Sequence, residues 1–433
     1  MPLLDITFST PENPEQTHPG KLFLDEAGRH WLEFNAQGYE NDIMHFPVVY
    51  VVAELTGVSY TLIHCSLSQM ELLTIRLSIQ ELIIGEHSPA VTVPYYKGIE
   101  AEINMLEEWI NHRPFTYKLS AQEASVSTLP SFEKTYAIND STTLELQTWC
   151  YHKFQKQEAV FATRSRVKIE TKEPASRMML NNYLLSFLRL QSLFCSKMPG
   201  IQKLILCTQE NDSHEIQMPS FKKRPGAAND VLITLDQLQS YFPDMVSRYY
   251  NEACKYSKVF DLLNESSMNK TAEISYLNIT TALEVFHKTF LVERSENLMM
   301  PYMDLMIQEK VVTKREKKWI NATRYYHLLE TVKDIAFFQQ RAPDSILMVR
   351  KMRNSRNWYT HYDDLGGEIW TPAKLIHINH LLRGLVKAVI LIELNLPCIV
   401  INKILNADAY LFFHDHEKNP YSLSYIDVKA TEE

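Results

Sequence analysis

The sequence predicts an α+β protein in two parts, a β-rich mixed domain over residues 1–225 followed by an all-α bundle over residues 226–433. Three observations predict it. A chain of 433 residues exceeds one ordinary core, because single cores stop growing near ~250–300 residues. Short apolar runs bracket turn formers through the first half, whereas beyond residue 225 the hydrophobic period lengthens to that of a helix. Hydrophobic residues make up 45 % and charged residues 22 %, the balance of a folded chain with buried cores in both parts.

The first half reads as a series of hairpins. KLFLDEAGRHWLEF places two apolar runs around a turn at Gly28, and VVYVVAELTGVSYTLIHC repeats the pattern around Thr56 and Gly57. AVFATRSRVKIETKE reads as a further strand, with a bulge or break expected between Thr163 and Val167. Helices are expected at YKGIEAEINMLEEWI and at SRMMLNNYLLSFLRLQSLFCSK, before strand-like IQKLILCT returns, so the sheet should be mostly antiparallel. PSFKKRPGAAND, with Pro219, Pro225 and Gly226, gathers turn formers without periodicity and is the expected linker. In the second half, ITTALEVFHKTFL lines up Ala282, Val285, Phe286 and Phe290 on one helical stripe. WTPAKLIHINHLLRGLVKAVILIEL opens with Thr371 as N-cap and Pro372 at the first helical position.

The net charge of −8 is unevenly spread. From Lys310 to His361 twelve Lys and Arg stand against four acids, a net of +8, which leaves −16 for the rest of the chain. Such asymmetry points to one surface built for a polyanion on an acidic body. The run KREKK within it reads as a solvated helix face.

Six cysteines lie far apart with no C-x-x-C pair and are expected to be reduced, mostly buried thiols. The opening residues lack a basic stretch followed by an apolar one, so no secretory leader is expected. GLVKAVILIELNLPCIVI is interrupted by Lys387, Glu393 and Pro397, whereas a spanning helix needs ~20 mainly apolar residues. It reads as a core helix of a cytoplasmic protein that does not enter the membrane.

Several chemistries are disfavoured. The chain has only 11 glycines and no G-x-x-x-x-G-K-[ST] or G-x-G-x-x-G run, the loops by which backbone N–H groups cradle phosphates. G-x-S-x-G and H-E-x-x-H are also absent. His377 and His380, in H-I-N-H, sit on adjacent turns without a third ligand at recognisable spacing. No metal and no other cofactor is expected.

The informative segment is ILMVRKMRNSRNWYTHYDDLGG, which carries Arg356-Asn357-Trp358-Tyr359-Thr360-His361 on a basic helix expected to end before Gly366 and Gly367. Residues four apart share a helix face, so Arg353, Asn357 and His361 align and Asn357 can orient the His361 ring. Arg356 and His361, five apart, splay by roughly 140° on a straight helix, which a kink or a second copy across a two-fold axis would resolve.

These residues suit metal-free RNA scission, in which a 2′-hydroxyl attacks the neighbouring phosphate. A histidine, titrating ordinarily near ~6.5, can take or return that proton near neutral pH, the role for His361. A planar guanidinium can hold the charge gathering on a phosphorane-like transition state, the role for Arg356. DNA lacks the 2′-hydroxyl, so the mechanism selects RNA.

At this motif the chain resembles the HEPN superfamily, whose ribonucleases share a helical bundle and an R-x(4-6)-H signature, most often with Asn, Asp or His after the Arg. Arg356, Asn357 and His361 match it position by position, and ALEVFHK with Glu284 resembles the first core helix of that superfamily. GKLFLDEAGRHWLEF, SYTLIHC, ELIIGEHSPA and INMLEEWI, in that order and spacing, resemble the N-terminal domain of the ApeA anti-phage ribonucleases. The resemblance implies a bacterial defence protein in which a β-rich domain senses a phage-derived trigger or restrains, and a HEPN domain cuts RNA. It also implies a homodimer with active sites shared at its interface, products ending in 2′,3′-cyclic phosphate and 5′-hydroxyl, and transfer RNA as one candidate target.

Around the motif, Lys351, Arg353 and Tyr359 are the candidates for RNA binding, with Arg353 either a second phosphate-binding residue or a solvated neighbour. Tyr325, Tyr326, Trp358 and Tyr359 either stack on unpaired bases or pack the bundle. Asp363 and Asp364 read as a polar helix terminus without a ligand role. The rival from another class is a non-catalytic HEPN module that dimerises or holds RNA while the N-terminal domain binds a partner. A metal-dependent nuclease would differ by losing activity in EDTA.

Overall fold

The computed structural model describes residues 3–24, 30–35, 45–71, 73–85, 87, 95–119, 124–155, 158–208, 213–217, 230–268, 271–314, 318–361 and 369–416. The chain forms two compact units, Met1–Leu188 with Pro199–Ala228, and Arg189–Met198 with Asn229–Glu433. The first is β-rich and the second helical, the α+β class expected from the sequence. The expected linker around Pro219, Pro225 and Gly226 lies outside the described residues, as do Gly28, Asp363, Asp364, Gly366 and Gly367.

In the first unit, β1 (Leu3–Thr10), β2 (Asn13–Leu24), β3 (His30–Asn35), β4 (His45–Ala53), β5 (Ser59–Glu71) and β6 (Thr74–Ile84) pair in the order β6-β3-β2-β1-β4-β5. β5 pairs again with β6, which closes the six into a barrel. Both expected hairpins are present, β2 with β3 and β4 with β5. At the second, Gly57 takes φ +67°, the left-handed conformation that costs glycine least, and donates to the Ala53 carbonyl at 2.8 Å. Alternate residues point inward, so Ile6, Phe8, Leu22, Leu32, Val51, Leu62 and Leu77 fill the barrel.

β6 also carries the sheet onward. Its residues 74–79 pair with β3, and Leu82–Ile84 pair with β14 (Ser213–Gln217). Beyond β14 come β13 (Ile201–Cys207), β7 (Tyr95–Ile103), β12 (Glu158–Ser176), β11 (Thr142–Gln155) and β10 (Phe132–Asn139). β8 (Phe115–Leu119) and β9 (Ala124–Thr128) form a separate hairpin. Every strand pair among the described residues is antiparallel.

Two expectations are corrected here. YKGIEAEINMLEEWI is mostly strand: β7 takes Tyr95–Ile103, and helix α1 is only Leu106–Ile110, bounded by Met105 and Asn111 at φ 66° and 56°. The spacing of Ile99, Ile103, Leu106 and Ile110 imitates a helix, but β7 is paired on both edges, and tertiary pairing overrides local period. In β12 the ladder to β11 runs unbroken from Thr171 to Glu158, without the bulge expected between Thr163 and Val167. Phe161, Thr163, Val167, Ile169 and Thr171 share one parity and therefore one face. The irregularity lies on the other edge, between Glu170 and Ala175 in the pairing with β7. The helix expected next forms as α2 (Arg177–Ser192), whose last turn, from Arg189, belongs to the second unit.

The second unit comprises α3 (Leu235–Leu238), α4 (Phe242–Asn251), α5 (Ala253–Met268), α6 (Ala272–Phe286), α7 (Glu296–Gln308), α8 (Asn321–Thr331), α9 (Ala336–Arg341), α10 (Ser345–His361), α11 (Pro372–Glu393) and α12 (Cys398–His416). The stripe on α6 does not end at Phe286. A π-helical turn, His287–Leu291, extends it and brings Phe290 into the core, with the Val292 N–H reaching the His287 carbonyl at 3.2 Å. α11 begins after Thr371 with Pro372 in its first turn. It is long and apolar enough to cross a membrane by length and composition, yet 61 % of its most apolar window is buried within the protein. That agrees with the core-helix reading. All six cysteines are free thiols, but only Cys65 and Cys195 are buried, while Cys254 and Cys398 are exposed.

Candidate active site and basic cleft

α10 presents the R-N-x-x-x-H string, and its position follows from contacts along its whole length. Asp344 caps its start, accepting from the Leu347 N–H at 2.8 Å. Mid-helix, the buried Tyr276 of α6 donates its hydroxyl to the Met352 carbonyl at 2.7 Å. Near the end, Trp370 is clasped from both sides: its N–H donates to the Ser355 hydroxyl at 2.9 Å, and its carbonyl accepts the Tyr359 hydroxyl at 2.7 Å.

Arg356 faces α6 and α8. Its Nε lies 2.6 Å from Oε1 of Glu284 and its Nη2 donates to Oε2 at 3.1 Å, a two-pronged ion pair whose side chains are 21 % and 15 % exposed. Tyr325 of α8, fully buried, donates its hydroxyl to the same Oε1 at 2.6 Å. Burial opposes the Arg356 charge, but Tyr325 and Glu284 outweigh it and raise its pKa above the ordinary value. Burial, with Glu284 beside it, holds Tyr325 far above the usual phenol range, so that it stays a donor. A guanidinium has five N–H groups. One N–H on Nη2 goes to Glu284 and the buried Nε, though beside Oε1, makes no hydrogen bond among the described residues, so the other N–H on Nη2 and the two on Nη1 are the three that remain for a phosphate.

Arg353 and Asn357 occupy a different face of α10. Together with Lys318, Trp319, Ile320, Asn321, Ala322 and Arg324 they line a cleft of about 450 Å³ at the start of α8. Arg353 is steadied by donating to the Val311 carbonyl at 2.9 Å. Beneath the cleft, the Trp319 ring packs against His287 and His327, which are hydrogen-bonded ring to ring at 3.0 Å. Burial, reinforced by His327 and Arg324, pushes His287 down to about 3, and burial also lowers His327. Both are neutral near pH 7.

The candidates from sequence are thus divided. Arg353 and Asn357 share the cleft, Arg356 turns into the bundle toward Glu284, and His361 is exposed at the last position of α10. Lys351 and Tyr359 are half-buried and do not line the cleft. Tyr325 is excluded from base stacking because none of it is exposed, and Tyr326 sits edge-on to Tyr302. His377 and His380 are half-buried on α11, burial pushes His380 down to about 4, and no three His, Cys, Asp or Glu among the described residues form a metal-holding group.

Three participants escaped the sequence reading: Tyr325 as a partner of Glu284, and Lys318 and Arg324 as cleft residues. Glu284 itself entered only as part of ALEVFHK. Its placement among Leu283, Val285 and Phe286 was the available signal, since a carboxylate on a core-facing stripe needs a buried cation or donors.

No curated protein and no solved structure matches the chain. Two family models do. The model described as ApeA N-terminal domain 1 matches residues 6–249, more than half of the chain, and the model described as Apea-like HEPN matches residues 277–398, which include Glu284, Arg356 and His361. HEPN domains are generally nucleases and typically dimerise and act on RNA. With both models in this order, the chain belongs to the ApeA family of HEPN-type anti-phage effectors.

Proposed function

We propose that the protein is a metal-independent endoribonuclease of a bacterial anti-phage defence system that acts in the cytoplasm by abortive infection, as a homodimer through its HEPN bundle. The observation that carries this reading is a permanently charged Arg356, fixed by Glu284 with three donors to spare, on the same helix as the exposed His361. His361 takes the proton of the 2′-hydroxyl, or returns one to the departing 5′-oxygen, while Arg356 holds the negative charge on the phosphorus oxygens. Asn357, one turn before His361, orients its ring. The P–O5′ bond breaks as the 2′-oxygen bonds to phosphorus, leaving a 2′,3′-cyclic phosphate and a 5′-hydroxyl. Lys351, Arg353 and Tyr359 contact the strand, and the N-terminal domain answers a phage-derived trigger. Transfer RNA is the first substrate to try.

One observation favours a second reading, a non-catalytic HEPN module that dimerises or holds RNA: Arg356 is 21 % exposed and already paired. The test is cleavage of total bacterial RNA, with a transfer RNA fraction alongside, by the protein in EDTA beside Arg356→Ala and His361→Ala, with end-group analysis. Cutting by the parent alone, with cyclic phosphate ends, supports the nuclease. Equal cutting by all three overturns the site. RNA binding without cutting, under phage infection as well, supports the module.

A further inference from the structure

The cleft between the start of α8 and the middle of α10 has a composition that neither stability nor the cutting chemistry requires. Three cations, Lys318, Arg324 and Arg353, line it together with the amides of Asn321 and Asn357, and no carboxylate is among the described lining residues. Concentrating like charges around a concave surface raises the field within it and costs stability unless an anion enters. The N-terminus of α8 adds to that field: its N-cap, Ile320, has no side-chain acceptor for the first-turn N–H groups, while its own N–H is taken by the Thr323 hydroxyl at 3.1 Å. Trp319 lines the same cleft at 7 % exposure, and its indole Nε1 has no hydrogen-bond partner among the described residues. Arg353 spends a donor on the Val311 carbonyl, which fixes the guanidinium and leaves further N–H groups available. The volume of about 450 Å³ falls within the range of clefts that hold small ligands.

We infer that this cleft is a phosphate-ester site that seats the backbone of a single-stranded RNA, with Lys318, Arg324 and Arg353 as phosphate contacts and Asn357 at the end joined to the R-N-x-x-x-H string. It lies on another face of α10 from the Arg356–Glu284 pair, so it holds a nucleotide flanking the scissile bond. The inference rests on the proposed function only in naming RNA as the strand.

The test measures binding, with cleavage removed. Full-length His361→Ala is titrated with a fluorescein-labelled 12-nucleotide RNA at several salt concentrations, alone and with Lys318→Ala, Lys318→Glu or Arg353→Ala added. Lys318 is exposed, so its variants leave the fold unstrained. The expected result is several-fold weaker binding for each alanine variant and more for Lys318→Glu. The dependence of log K on log salt should flatten by about 0.7 for each cation removed, the single-strand increment. Unchanged affinity and slope in all three variants would overturn the cleft. So would competition in which inorganic phosphate or AMP binds as tightly as the RNA, which would mark a small-anion site. Failure of the nuclease reading is a separate outcome, seen as cutting that survives Arg356→Ala and His361→Ala.

Discussion

Glu284 grips Arg356 with both carboxylate oxygens, at 2.6 and 3.1 Å, and so ties α6 to the helix that carries the R-N-x-x-x-H string. Removing one partner of such a pair leaves the other as an uncompensated charge, which is why breaking a buried pair costs more than the pair contributes. Glu284→Ala and Arg356→Ala should each lower stability by about 2–4 kcal/mol. The double variant should lose less than the sum, with a coupling of about 1–3 kcal/mol. Urea midpoints for the four proteins check this; strict additivity would show that the pair is not a unit.

Tyr325 shares the Glu284 oxygen from a fully buried position. Tyr325→Phe should cost about 1.5–3 kcal/mol, the range for a hydrogen bond to a charged group. A readable companion is RNA cleavage: if Tyr325 fixes Glu284 and through it Arg356, kcat should fall while the RNA dissociation constant stays. A variant as stable and as active as the parent would remove Tyr325 from the arrangement.

If active sites are shared across a dimer, with Arg356 of one copy serving His361 of the other, two inactive variants should rescue each other. Mixing Arg356→Ala with His361→Ala under conditions that exchange subunits should restore roughly a quarter of parental activity, since half the dimers are mixed and each retains one intact site. An absence of recovery, with subunit exchange verified, would place each Arg–His pair within one chain.

How much of this was legible in the sequence depended on range. The hairpin at Gly57 and the start of α11 at Thr371–Pro372 are local signals and appear where the residues put them. The strand at Tyr95–Ile103 was misread because its place is decided by partners far along the chain, β12 and β13. The π turn at His287–Leu291 was invisible because its side chains obey an ordinary helical stripe. At the site, spacing alone aligned Arg353 with Asn357, and both line one cleft. The facing residues Lys318 and Arg324 come from a segment about thirty residues earlier in the chain, and only packing brings them there.

Among the described glycines, Gly98 has the closest neighbour for an added Cβ. It faces Glu170 of β12 and Cys207 of β13, and a Cβ there would meet the Ile169 carbonyl oxygen at 2.6 Å. Because the obstacle is backbone, the strands must shift, and overpacking of this kind costs about 1–3 kcal/mol. Gly98→Ala should lower the melting temperature of the protein, and Gly57→Ala, where the space is open but φ is +67°, gives a comparison governed by backbone strain. A Gly98→Ala protein that melts with the parent would mean that β7 has room to move.

Three histidines should set the acid limit of the helical unit. Burial pushes His287 down to about 3 and His380 to about 4, and lowers His327. In the folded state these rings stay neutral, whereas in the unfolded chain they take up protons near their ordinary value of 6.5. Below that pH the unfolded state therefore binds more protons, and stability falls with falling pH until the folded-state values are reached; above it their contribution is fully present. Each histidine kept neutral should cost about 1.4 kcal/mol per pH unit across that window. Urea unfolding between pH 7.5 and 5 reads the effect, and the difference between parent and histidine variant removes the share of Glu81 and Glu107, whose carboxyls burial raises. His380→Gln should give a shallower loss than the parent, by close to one proton. Stability independent of pH across this interval would mean that the rings are protonated in the folded protein, and that the His287–His327 contact beneath the cleft carries a charge.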